Sequence, residues 1–161
     1  MGELSGFDAC FFCLGVAAAA MTEANYRRIT YDITVAAART LAKQNLGMTF
    51  IYVLWAGTNS TERGRAMWAR VKGQTENARL RQPFEAAFMF RPAAIAPLHG
   101  MRSRTSRYRF LYVLATPLLR VSHKWFPKYV TTSEQMGRAM IKVAKQGSAK
   151  PVLESLDINE L

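Results

Sequence analysis

Residues 48–77, MTFIYVLWAGTNSTERGRAMWARVKGQTEN, constrain the fold of this chain more than any other stretch. The run 48–54 is continuously apolar and rich in β-branched and aromatic side chains, the composition of a strand buried on both faces of a parallel sheet. Ala56-Gly57-Thr58-Asn59-Ser60 reads as a small polar turn, with Ser60 placed to cap a helix. Residues 66–80 read as that helix, with Met67, Val71 and Ala78 on its buried face and Trp68 and Lys72 one turn apart on one side. Strand, polar turn and helix in this order put polar groups at the carboxyl end of a sheet, where ligands of open α/β folds bind.

The rest of the chain supplies further elements of the same kind. Residues 7–14 form a short apolar strand closed by Gly15, followed by a small-residue linker at 17–20. Thr22 caps a helix running to Lys43, with Tyr26, Ile29, Ile33, Ala37 and Leu41 at helical spacing and Asn45 and Gly47 as stop signals. Tyr26 and Tyr31 read as packing residues rather than catalytic ones, since neither has a lysine four residues on. Residues 86–90 make a third buried strand, ended by Arg91-Pro92 because proline cannot continue a ladder. Thr131-Thr132-Ser133-Glu134 is a capping box before Met136, Ala139, Met140, Val143 and Ala144, the clearest amphipathic helix, closed by Gly147. Residues 152–155 suggest a last short strand before an acidic tail. The expected fold class is α/β: one domain over 1–161, with a partial Rossmann-like parallel sheet of about three to four strands flanked by helices.

Half the residues are hydrophobic and 20% are charged, which excludes a disordered chain. A net charge of +11 favours anionic partners, whether nucleotide phosphates, nucleic acid or acidic lipid. Cys10 and Cys13 are spaced as a Cys-x-x-Cys, but residues three apart on a strand face opposite sides, so both are expected to be buried core thiols. The apolar run 9–21 follows Glu3 and Asp8 rather than basic residues, unlike a signal peptide. No apolar run reaches the roughly 18 residues of a spanning helix. The chain reads as soluble and cytoplasmic.

The central unit resembles the short-chain dehydrogenase/reductase superfamily, in its atypical epimerase/dehydratase-like branch of small NAD(P)-binding Rossmann domains. There the strand ends in a catalytic Ser or Thr and the next helix carries Tyr-x-x-x-Lys. Here the helix reads Trp68-Ala69-Arg70-Val71-Lys72, and the strand-end position falls at Leu54. The lysine matches; the tyrosine and serine do not. The resemblance implies that Lys72 contacts a nicotinamide ribose and that Thr58 or Ser60 is the nearest hydroxyl left to polarise a carbonyl. It further implies cofactor contacts at Leu14, Gly15, Val53 and Leu54. The run RPAAIAP resembles the family's Arg-Pro-Gly segment at the nicotinamide pocket, giving contacts at Arg91, Pro92, Ala93 and Ile95 with Ala93 in the glycine position.

No Gly-x-x-Gly-x-x-Gly turn is present to hold a pyrophosphate at a helix amino end. The first strand matches the family's fourth, so the resemblance implies an N-terminally truncated domain without its first βαβ half. It implies weak binding of NADP or NAD, with a small carbonyl or sugar-like substrate and weak or no catalysis. The 7–14 strand then becomes an apolar sheet edge open to pairing with another copy. The competing expectation is a non-catalytic binding or scaffold protein. Its basic strip at 102–128, with Arg102 to Lys128 interleaved with aromatics, would meet an anionic membrane surface or nucleic acid, whereas the plainer and favoured reading makes 99–130 a basic cap-like segment over the substrate side of the cleft, its arginines a solvated face. His99 reads as a solvent-exposed loop residue.

Overall fold

The computed structural model describes residues 4–98 and 126–161. The basic strip, apart from its last residues, and His99 lie outside them. Strand β1 (Ala9–Phe12) is followed by helix α1 (Glu23–Arg27), a π-helical turn (Arg28–Asp32) and helix α2 (Ile33–Gln44). Then come β2 (Thr49–Val53), α3 (Met67–Leu80), β3 (Ala86–Arg91) and β4 (Ala94–Ala96). Strand β5 (Val130–Thr132), α4 (Ser133–Gln146), β6 (Val152–Glu154) and α5 (Ser155–Glu160) complete the described chain. The fold is α/β, with a parallel four-stranded sheet in the order β1-β2-β3-β6 flanked by helices. Strands β4 and β5 pair separately, also in parallel.

The register explains why β2 is apolar throughout. Phe50 and Tyr52 align with Cys10 and Phe12 on one side and with Ala87 and Met89 on the other. This face packs under Ala38 and Leu41 of α2, with Phe84 after α3. Ile51, Phe88, Phe90 and Leu153 form the opposite face, covered by Met136, Ala139, Met140 and Val143 of α4 and Ile158 of α5. Both faces are therefore buried, and each large side chain so placed contributes about 1.5–3 kcal/mol. Strand β1 escapes that cover: among the described residues it pairs only with β2, and Phe7, Phe11 and Leu14 are exposed.

Four local expectations are corrected. Strand β1 is shorter than 7–14, so Cys13 lies beyond its end and is exposed, while Cys10 is half-buried; both thiols are free. In the 23–44 helix the buried residues are Tyr26, Thr30, Thr34, Val35, Ala38 and Ala42, not the Ile29-Ile33-Ala37 stripe, and Ile33 is exposed. The π turn is the reason: its extra residue per turn advances the inward face by one position after Tyr26. Ser60 caps nothing, because α3 begins after Ala66 without a side-chain cap. The acidic tail forms α5, whose Asp157 carboxylate accepts from the Glu154 backbone N–H in a capping box. Thr22 does cap its helix, accepting from the Asn25 N–H, while the box read at 131–134 lies one residue later, with Thr132 as the cap accepting from the Gln135 N–H.

Helix α3 departs most from a simple apolar stripe. Met67 is only half-buried, while Glu76 and Arg79 are among the most buried side chains. The Arg79 guanidinium lies 3.7 Å from the Phe50 ring centroid and 4.7 Å from that of Phe84. Burial pulls its pKa down to about 10, and the two ring faces take the place of a carboxylate partner.

Candidate functional site

Beyond the carboxyl ends of β1 and β2 opens a cleft of about 660 Å³. Its walls come from the chain leaving β1 (Cys13, Gly15 and Val16 through Ala19) and the chain leaving β2 (Val53, Leu54, Trp55). Tyr26 of α1 and Trp68 and Lys72 of α3 complete them. The sheet sets this geometry, since parallel strands deliver all their carboxyl tips to one side. The β2 tip is held abreast of β3 by Leu54 N–H to the Phe90 carbonyl at 2.8 Å and Ala56 N–H to the Pro92 carbonyl at 3.1 Å.

The loop after β2 then turns sharply. Gly57 takes φ +87°, a conformation that favours glycine, and the Trp68 ring comes within 3.3 Å of where its Cβ would lie. Thr58 is buried in this turn and its hydroxyl donates to the Trp55 carbonyl at 2.8 Å. The loop next runs directly over α3. Asn59 N–H donates to the Ala69 carbonyl at 3.1 Å, and a Cβ on Gly73 would fall 1.8 Å from the Asn59 carbonyl oxygen. Glycine at 73 is what lets the helix approach closely enough to present Trp68 and Lys72 to the cleft.

A buried ionic cluster fastens the same loop. Arg91, at the end of β3, donates from Nε to Glu76 Oε2 at 2.9 Å and from its terminal nitrogen to Glu76 Oε1 at 2.5 Å. That nitrogen also donates to Ser60 Oγ at 2.6 Å, and Ser60 in turn donates to Glu76 Oε1 at 3.0 Å. Asn77 adds donations to the Ser60 carbonyl and to Glu62. The Glu76 side chain is 1% exposed and that of Arg91 11%, so the pair is a dry, bidentate clamp between α3, β3 and the loop.

Of the residues marked from sequence, Gly15, Val53, Leu54 and Lys72 come together around the cleft. The others do not. Leu14 is exposed outside it, and the Thr58 and Ser60 hydroxyls are engaged in the turn and the clamp rather than facing a ligand. Arg91 serves the clamp, Pro92 the strand tie, and the Ala93 N–H donates to Ser155 Oγ at 2.9 Å; Ile95 belongs to β4. A Cβ on Gly15 would meet open space, so glycine there widens the cleft and answers no steric conflict with the protein itself. Cys13, Trp55 and Glu76 were missed. The single acid of α3 was the available signal for Glu76; the Cys-x-x-Cys spacing drew notice to Cys13, but the strand assigned through 7–14 placed it in the core.

Burial lowers the Lys72 pKa, and no carboxylate among the described residues offsets it. The stretch 99–125 contains no Asp or Glu at all. Burial pushes the Cys13 thiol up, and likewise the Tyr26 phenol, whose hydrogen bond with Thr30 acts against the rise. The Trp68 indole N–H donates but cannot serve as a proton source at neutral pH. Among the described residues the cleft thus offers an apolar, aromatic wall, one amine without a counter-charge and one thiol.

No helix among the described residues is long and apolar enough to cross a membrane. Nor do they hold a cluster of His, Cys, Asp or Glu fit for a metal ion. Compared with known proteins, the chain matches no family model and no curated protein.

Proposed function

We propose that the cleft receives the nicotinamide-ribose end of NADP or NAD, in a protein of the short-chain dehydrogenase type with oxidoreductase- or epimerase-like ancestry and weak or no catalysis. The observation that supports this reading is the convergence of Gly15, Val53, Leu54 and Lys72, far apart in sequence, around one cleft beyond the carboxyl tips of parallel strands. The Lys72 amine would donate to the ribose hydroxyls, and the indole of Trp68 would fill space beside the ring. With Leu54 and Trp68 where the family pattern has hydroxyls, and with Thr58 and Ser60 engaged elsewhere, a carbonyl substrate would find none of the family's proton donors in place. Charge-assisted bonds to a pyrophosphate contribute about 1.5–3 kcal/mol each, so a chain without a glycine-rich cradle holds a dinucleotide weakly.

Trp55 and Trp68 in the cleft wall make the test direct. Titration with NADPH should quench tryptophan fluorescence saturably, with Kd below about 1 mM, and Lys72→Met should abolish saturation. A linear, non-saturating response in the parent protein would overturn the reading.

A further inference from the structure

Lys72 sits in the cleft wall one turn from Trp68, with Trp55, Val16 and the Ala17-Ala18-Ala19 run around the same space. This is a seat for a flat apolar body, and among the described residues Lys72 is the one amine on it. Position 68 carries an indole where the resembled pattern has a phenol, and Tyr26, whose phenol pKa burial raises, is the hydroxyl-bearing side chain lining the same cleft among the described residues. Among the described residues no carboxylate holds its charge, and Glu76, four residues on, is consumed by Arg91. The other nucleophile in the wall, Cys13, is exposed, and partial desolvation raises its pKa, so less of it is thiolate.

We propose that Lys72 is itself a nucleophile, capturing an aldehyde borne on a flat aromatic or otherwise apolar body as a reversible imine. The inference goes beyond dinucleotide binding and does not depend on it. In the addition, the neutral amine nitrogen bonds to the carbonyl carbon and the C=O π pair moves to oxygen, which takes a proton from water as water takes one of the two protons of the now cationic nitrogen, giving a neutral carbinolamine. The nitrogen lone pair then forms C=N as the C–O bond breaks. Water leaves with the remaining N–H proton, so amine and aldehyde give imine and water with no change of oxidation state. The required proton comes from water at the open mouth of the cleft. Desolvation supplies the rest: it favours the neutral amine over the ammonium, which is how lysines in apolar pockets are made nucleophilic.

The probe is 6-methoxy-2-naphthaldehyde, neutral so that the chain's positive charge does not concentrate it, added to the full chain at neutral pH with sodium cyanoborohydride. Peptide mapping by mass spectrometry should find more of the trapped secondary amine on Lys72 than on all other lysines combined. Propanal, which lacks a flat body, should show a smaller preference for Lys72. Lys72→Arg, with folding checked by circular dichroism, should lose the dominant adduct. Adduct spread across the exposed lysines, or an equal Lys72 share for both aldehydes, would overturn the proposal. A parallel NADPH titration separates the two readings. Labelling at Lys72 without NADPH saturation upholds this one and overturns the dinucleotide reading, whereas saturation without labelling overturns this one alone.

Discussion

Gly73→Ala sets two physical effects against each other, and the structure decides between them. In a solvent-exposed helix interior the change should stabilise, by about 1 kcal/mol of backbone entropy and helix propensity. At position 73 the new methyl would lie 1.8 Å from the Asn59 carbonyl oxygen and 2.6 Å from its carbonyl carbon. An ordinary carbon–oxygen contact is near 3.3 Å, so the loop and α3 must separate by about 1.5 Å. The obstacle is backbone at both ends and cannot rotate aside. Overpacking of this kind costs about 3 kcal/mol. Separation also stretches the Asn59-to-Ala69 hydrogen bond of 3.1 Å, worth about 1 kcal/mol. The propensity gain offsets only that last loss, leaving a net destabilisation of about 3 kcal/mol. For a domain of this size Tm should fall by roughly 6–12 °C, with a matching drop in the urea midpoint at constant slope. A variant melting at or above the parent would refute the close packing of the loop on α3, and with it the placement of Lys72 in the cleft.

Two other perturbations probe the ionic clamp and the sheet. Glu76→Ala leaves Arg91 without its partner in a dry site and should cost about 3–5 kcal/mol; the double variant Glu76→Leu/Arg91→Met should recover most of it. A loss under about 1 kcal/mol for the single variant in urea denaturation would show that the clamp is solvated. Tyr52 is 2% exposed, and burial pushes its pKa up to about 12 from 10. Above pH 10 the unfolded chain releases this proton while the folded one retains it. Stability from this group should therefore fall by about 2–3 kcal/mol between pH 10 and pH 12. Tyr52→Phe should flatten that part of the stability–pH curve, and an unchanged slope would contradict the burial.

Much of the architecture was legible because it is written locally. The unbroken apolar run through Phe50, Ile51 and Tyr52 announces a strand covered on both faces, and coverage on both faces implies flanking helices and parallel neighbours. Thr22 and, to within one residue, the Thr131-Thr132 pair announce helix starts because a hydroxyl reaches only its own chain two or three residues on. The site was legible in part for the same reason. Lys72 and the β2 tip belong to consecutive elements joined by the single loop 54–66, so the order strand, turn, helix already places them at the same end of the sheet.

What the sequence alone determined, then, is the α/β class, the strand–turn–helix unit from β2 through α3, and the side of the sheet on which a cleft opens. Each follows from periodicity and capping, which act over a few residues. Only the tertiary structure decided which side chains the cleft contains. It turned the face of the first helix by a π turn at Arg28–Asp32 and brought Cys13 to the cleft rim by ending β1 early. It also drew Ser60 and Arg91 away from the cleft to neutralise Glu76. The physical reason for the last is that a buried carboxylate takes its partners wherever the packed chain offers them, and those of Glu76 lie 15 and 16 residues away, farther than periodicity or capping reaches.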